Sequence, residues 1–577
     1  MLERSFTNKS IILLSLLVVA VWALPIWFTP QMTGVCDWDC AMHRFEALRR
    51  TILEFKQWPG NNPWSSGGLP LLGHPGIGLF SLSGLLVLIL GTFWGLRLAV
   101  LIYLFLGFIG AWKLSGIWWK DRFIKLIFIF YVIANPAMIY HITVGHLLFQ
   151  TFWFMPLLFY FLLRFKEDRW SGLKAAIVFA AAFNESPSYI VQYGALILLC
   201  ISIYFCLANY RQNSKMLLRW FLLFIPIIAA LTFYRTITIL QILSDFPRLS
   251  DFKAHYEWAH LAKLYFFPYT KIINLSPSKY KFIGVTWESA SYVGLGAFLL
   301  ALASLRRGFR WWHAMIVMLV WAGAGNDSPF YIMYWIQKIP SFSSHGCFTR
   351  IRMFTLLFFG IAAVGGLNYI WMKYKGYRFL RYVVICIGIL MVSEVLVVSH
   401  LIMKSSHIKL ASWKGDNLAN KFQTISSLPP PREAPDLVIL TYRAIRMNLG
   451  WLRGHGDPYI PAASVRVARD EEGYIAEFYQ GGQEVVPRYW SPNRILLEGL
   501  NPRQPLVINL NPGSPWYGNG KQLFPQYRIV EPLRLFKVMP DENGVVELTY
   551  RYPGQRAGII GTIILLIISG LVVVLLK

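Results

Sequence analysis

Acidic side chains are scarce in this chain: 29 Asp and Glu stand against 55 Lys and Arg in 577 residues, and charged residues of both signs make up only 15%. Soluble domains carry about a quarter charged residues, so this balance excludes an ordinary soluble fold. Cysteine is scarce too. Six are scattered along the chain, too few for a disulfide framework, and Cys200, Cys206 and Cys386 fall inside apolar runs, where a thiol is a small apolar residue. The surplus of base does not indicate nucleic acid, because Lys and Arg sit in short loops between apolar runs and form no nucleic-acid motif. A small-x-small cleavage site is missing after the first apolar run, roughly 11–28, which therefore reads as a retained anchor. No internal repeat is visible.

What is abundant is apolar sequence, 56% of the chain, in runs long enough to cross a bilayer. Spans are expected near 11–28, 98–114, 124–140, 147–163, 174–190, 191–208, 219–235, 291–305, 311–324, 352–371, 379–401 and 557–576. One further apolar stretch, GIGLFSLSGLLVLILGTFWG at 76–95, is rich in glycine and has no flanking charge. Counted as a span, it would put WWKDRFIK, RFKEDR, RQNSK and RRGFR outside; read as re-entrant or interfacial, it puts them inside with both termini. The second reading satisfies every short loop. It gives about twelve spans, with outer loops 29–97, 236–290 and 325–352, and it collects most Asp, Glu and His at span ends on the outer face.

The stretch 404–556 differs in kind. A proline-rich linker, SSLPPPREAPD, precedes short alternating runs such as RILLEGL, PLVINL and VVELTYRY, separated by Gly, Pro, Asn and Asp. Period-2 alternation with this punctuation predicts an outer β domain, sandwich-like, tied back to the membrane by the helix 557–577.

Several stretches then resemble a known group. PWSSGGLPLLGHPGIGLF resembles the first outer loop of YfhO-type membrane proteins, and DCAMHRFEALRR that of the related pyruvoyl-tetrahydropterin-synthase-related integral membrane family. NPAMIYHITVGHLLFQTFWFMPLLFYFLLRF, WESASYVGLGAFLLALASL and GAGNDSPFYIMYWIQKIPSFSSHGCFTRIRMFTLLF are similar to later segments of these families, and NRILLEGLNPRQPLVINLNPGSPWYGNG to their terminal β domain. The resemblance runs in order along nearly the whole chain. These families resemble GT-C glycosyltransferases, which implies a GT-C-like transmembrane domain over 1–403 in a cytoplasmic (inner) membrane. The activity implied is transfer of a sugar from a polyprenyl-phosphate donor to a glycan, lipid or polymer on the extracytoplasmic side. Nucleic acid is no partner.

Such a transfer needs a base for the acceptor hydroxyl and cations for the charge that grows on the leaving phosphate. Asp39 and His43, four apart and on one face of a helix beginning here, match the family's acid and spaced histidine; Asp37 is the second candidate base and a helix cap. Carboxylates suit Mg2+ or Mn2+, so Asp37 and Asp39 are also candidate ligands for a divalent cation. Arg350 and Arg352 are candidates for the donor phosphate, with His345 beside them. His74, His141, His146, Glu185 and Glu288 complete the candidates on the outer face. Two other readings stay open. A transporter or flippase for a lipid-linked glycan would hold its cargo near mid-membrane, and a non-catalytic envelope scaffold would dispense with Asp39.

Overall fold

The structure, a computed structural model, describes residues 8–28, 37–65, 68–74, 76–187, 189–245, 264–268, 291–324, 332–339, 342, 348–374, 376–405, 422–425, 442, 445–451, 469, 471–509, 516–523, 536–551 and 555–575. Helices dominate the first part of the chain: α1 (Asn8–Trp22), α2 (Trp38–Leu53), α3 (Leu82–Leu90), α4 (Thr92–Ser115), α5 (Arg122–Ile133) and α6 (Pro136–Thr143). A 3-10 stretch, Leu147–Phe154, leads into α7 (Met155–Leu163), followed by α8 (Ser171–Glu185), α9 (Tyr189–Ala208) and α10 (Tyr210–Asp245). Then come α11 (Leu295–Ser304), α12 (Trp311–Gly323), α13 (Ile332–Gln337), α14 (Arg352–Lys373), α15 (Arg378–Ser405) and, at the end, α16 (Gln555–Leu575).

Seven segments among the described residues are helical, long and apolar enough to cross a membrane: Thr92–Ser115, Arg122–Thr143, Tyr189–Ala208, Gln212–Leu240, Arg352–Lys373, Arg378–Lys404 and Arg556–Leu575. This is a multi-pass membrane protein. The expected twelve spans are not all present at full length. Ser10–Trp22, Leu147–Leu163 and Trp311–Gly323 are shorter apolar helices, and α8 and α11 are shorter than 18 residues as well. At 1.5 Å per residue, ten to seventeen residues cover roughly 15–26 Å, less than a hydrocarbon core of about 30 Å. An apolar run read from sequence continues through turns that end the helix.

The ambiguous stretch 76–95 does not make one span. Nine of its residues form α3, about 14 Å long. Ser81 caps its first turn by accepting from the Gly84 N–H at 3.0 Å. Gly91, at φ +79°, ends it, and the chain folds straight back into α4. The hairpin closes tightly, since a Cβ on Gly95 would stand 2.6 Å from the Val87 nitrogen.

Beyond α15 the described residues form strands. Five antiparallel strands pair in the order Lys521–Gln522, Trp516–Gly518, Val546–Tyr550, Arg494–Leu497 and Tyr489–Ser491. Four more pair as Phe536–Val538, Leu506–Ile508, Phe478–Gln480 and Gln483–Glu484. Burial alternates along the central strands. The inward residues of both sheets, among them Phe478, Leu497, Ile508, Trp516, Val538 and Leu548, make one apolar cluster. The last helix, α16, then lies along α10 on a glycine face: a Cβ on Gly561 would be 2.1 Å from the Phe233 ring. Ser569 Oγ donates to the Pro226 carbonyl at 2.9 Å across that contact.

The sheets meet the loop that follows α2 directly. Asn493 accepts from the Asn61 N–H at 2.9 Å and donates to the Trp58 carbonyl at 2.5 Å, while Gln57 donates to Ser491 Oγ at 2.8 Å. Trp64 and Trp490 pack edge to face at 6.0 Å. The sheets therefore lie against the loop that follows α2.

Candidate functional site

The start of α2 is joined to the turn after α6 by backbone contact. The Asp37 N–H donates to the Val144 carbonyl at 2.8 Å, and Trp38 Nε1 donates to the Ile142 carbonyl at 3.0 Å. Gly145 makes this approach feasible. Its φ is +94°, and a Cβ there would lie 1.9 Å from the Trp38 nitrogen.

Asp37 occupies the N-cap position of α2, but its side chain makes no capping hydrogen bond, contrary to the expectation from sequence. Its carboxylate turns instead to His146, with Oδ2 2.9 Å from Nε2. His146 Nδ1 in turn lies 2.7 Å from His141 Nδ1. With the carboxylate ionised, His146 donates from Nε2; a neutral His146 accepts at Nδ1, which makes His141 Nδ1–H the donor. The Asp37 side chain is 50% exposed, whereas His141 is buried. Burial pushes the Asp37 carboxyl up, but the hydrogen bond and charge of His146, with the guanidinium charges of Arg44 and Arg350, outweigh it and hold the group below its ordinary 3.8.

Aromatic rings back the histidines. Phe149 stacks on His141 with ring centres 4.3 Å apart and planes 4° from parallel, and Tyr189 follows at 6.3 Å. Arg350 lies over this stack, its Cζ 4.2 Å from the Tyr189 ring centre and 5.1 Å from that of Phe149. The result is an ionised carboxylate and two imidazoles, faced by two guanidiniums and floored by aromatic rings, where membrane helices end.

Of the residues singled out from sequence, Asp37, His141, His146 and Arg350 come together here. His74 borders the Arg44 side: its Nδ1 accepts from the Gly76 N–H at 3.0 Å, and a Cβ on Gly76 would be 3.1 Å from the His74 ring and 3.3 Å from Arg44. Asp39 lies elsewhere, buried, accepting from the Tyr442 N–H at 3.0 Å, and His43 Nε2 takes the Asn62 amide at 3.2 Å. Glu185 forms a separate buried centre, accepting from Tyr103 Oη at 2.5 Å, Gln150 Nε2 at 2.7 Å and the Ser83 N–H at 3.3 Å. Arg352 is buried against Gly323 and close enough to Tyr265 for its charge to act on that hydroxyl. Glu288 and His345 lie outside the described residues.

Sequence reasoning passed over Arg44, although it stands seven residues from Asp37 on the same helical face, and it had no signal for Phe149 or Tyr189. It also passed over Glu46, buried and bonded to Arg49 at 2.7 Å and Thr92 at 2.6 Å, and Glu394 on α15, which accepts from the Tyr292 hydroxyl. The expected pair of metal-binding acids does not converge. Asp37 engages His146 and Asp39 engages Tyr442, and among the described residues no group of three or more His, Cys, Asp or Glu is arranged to hold a metal ion. The cations facing Asp37 are guanidiniums, so these residues do not fit a Mg2+ or Mn2+ site.

No family model matches the chain, and no curated protein matches it. Among solved structures it is similar to the cryo-EM structure of the arabinofuranosyltransferase AftD from Mycobacteria, at 14% identity and a TM-score of 0.38, over 68% of this chain and 27% of that one. A mutant form of AftD gives 13% and 0.39, over 67% and 28%. The crystal structure of ArnT from Cupriavidus metallidurans bound to undecaprenyl phosphate gives 11% and 0.35, over 69% and 75%. The matched part thus spans about a quarter of the length of the AftD structures. With TM-scores no higher than 0.39, the functional argument rests on the geometry of the site.

Proposed function

We propose that the protein is a GT-C-type membrane glycosyltransferase, taking a sugar from a polyprenyl-phosphate donor and placing it on a hydroxyl of a glycan, lipid or polymer outside an inner membrane. The observation that carries this reading is the Asp37 carboxylate, held ionised beside His146 with Arg44 and Arg350 acting on it. The acceptor oxygen attacks the anomeric carbon as its proton passes to Asp37. The carbon–oxygen bond to the phosphate breaks, and the lipid phosphate leaves with the electron pair. Arg350 and Arg44 offset the charge that grows on that phosphate. His146 fixes the carboxylate, and His141 fixes His146. The Phe149–Tyr189 stack offers a flat apolar wall of the kind sugar rings pack against.

The sequence ranks Asp39 first as base; the burial of Asp39 and its bond to a backbone N–H favour Asp37 for the role. The cluster stands at helix ends rather than in mid-span, which favours an enzyme over a transporter. Asp37→Asn keeps shape and an acceptor for His146 but removes the proton acceptor. In proteoliposomes supplied with a polyprenyl-phosphate sugar, it should insert normally and transfer about 10²–10⁴ times more slowly. Transfer at the parent rate would overturn the assignment.

A further inference from the structure

Along α2, the residues Asp39, His43, Glu46 and Arg50 recur at the spacing of one helical face, and all four are buried. A buried polar stripe is costly unless every group finds a partner. Here the partners come from three separate parts of the chain. Asn62 of the first outer loop holds His43, and Thr92, the first residue of α4, donates to Glu46 at 2.6 Å. The third grip comes from far along the chain. The Tyr442 N–H donates to Asp39 at 3.0 Å, and Arg50 donates to the Ile445 carbonyl. Trp64 adds a bond to Asn448 Oδ1 at 2.8 Å, with the Arg50 guanidinium 4.9 Å from its ring centre.

We infer that Asp39 is a positioning residue: with Arg50 it clamps Tyr442 and the stretch 445–448 along α2 and thereby sets the rotation of the helix whose N-cap is Asp37. Hydrogen bonds are directional, so turning α2 by one residue would break all four of these bonds together. The Asp37–His146 bond lies at the end of the same rigid helix and moves with it. The clamp gives the C-terminal outer segment a role in catalysis without supplying a reacting group. It rests on the proposed role of Asp37 only where transfer is concerned; the clamp itself is a matter of geometry.

The test uses the full chain in lipid nanodiscs, with hydrogen exchange read on peptides containing Tyr442 and transfer read from a polyprenyl-phosphate sugar. Asp39→Ala should speed exchange at Tyr442 by about tenfold or more, as expected when a hydrogen bond to a charged group is lost. It should slow transfer by about ten- to a hundredfold through misplacement. Asp39→Asn keeps an oxygen where Tyr442 needs one and should stay within a few-fold of the parent in both measurements. If Asp39→Ala fails to reach the membrane, Arg50→Met removes the neighbouring bond to Ile445 and should loosen the same segment. Unchanged exchange in Asp39→Ala and Arg50→Met would overturn the clamp. So would an Asp39→Asn protein as inactive as Asp37→Asn, since that result would give Asp39 a proton to carry. Normal transfer by Asp37→Asn, with Tyr442 freed in Asp39→Ala, would defeat the catalytic assignment and support the clamp.

Discussion

Asp37 has a pKa below 3.8 because a histidine bond and two guanidinium charges outweigh its burial, and this fixes the pH at which it can matter. A carboxyl whose folded pKa is depressed contributes stability above its unfolded value and loses it only as pH falls through the folded one. Asp37 thus stays ionised throughout the range where transfer is measured. Transfer followed from pH 8 to 5 should show no limb from Asp37. A limb inside that window that moves in Asp37→Glu would contradict this account. At this scale the sequence was partly legible. Spacing put Asp39 with His43, a pairing that follows from helical period, but Arg44 was passed over. It could not show which face looks toward His146, because that depends on a contact made 109 residues later.

Helix α2 enters the site at an angle set by one glycine. In Gly145→Ala the added methyl would sit 1.9 Å from the Trp38 nitrogen, and the backbone would be left at φ +94° with a side chain attached. Overpacking of this kind costs about 1–3 kcal/mol, and positive φ about 1–2 kcal/mol more. A lower melting temperature is expected, together with loss of transfer although Asp37, His141 and His146 are intact. Parent-like activity in Gly145→Ala would mean that the α2–α6 junction does not position the base. Element existence was the most legible property of this chain, since apolar composition announces helices. The shortness of α3 was readable too, from its glycines and from the charges of loops far from it. The lengths of α8, α11 and α12 were not, because apolar residues continue through their ends.

At the level of the molecule, the sheets and the membrane helices are joined through the loop after α2, where Asn493 both accepts from Asn61 and donates to Trp58. Asn493→Ala removes both bonds and should lower stability by about 1–3 kcal/mol, seen as a lower thermal midpoint in detergent, with the two sheets still folded by circular dichroism. An unchanged midpoint would show the junction to be held by its other contacts, the Gln57–Ser491 bond and the aromatic rings. Alternation made the strands readable, but nothing in the alternation tells where a sheet docks, because docking depends on turn residues such as Asn493 rather than on the apolar pattern. The packing of α16 against α10 bears on the same junction. The chain leaves the helices at Ser405 and rejoins them at Gln555, so the sheets belong to a closed loop anchored at both ends. Contacts within such a loop form at an effective concentration on the order of millimolar, whatever the protein concentration outside. A few modest hydrogen bonds then suffice to keep the clamp and the sheet junction occupied, because any bond that opens reforms from a partner that cannot diffuse away.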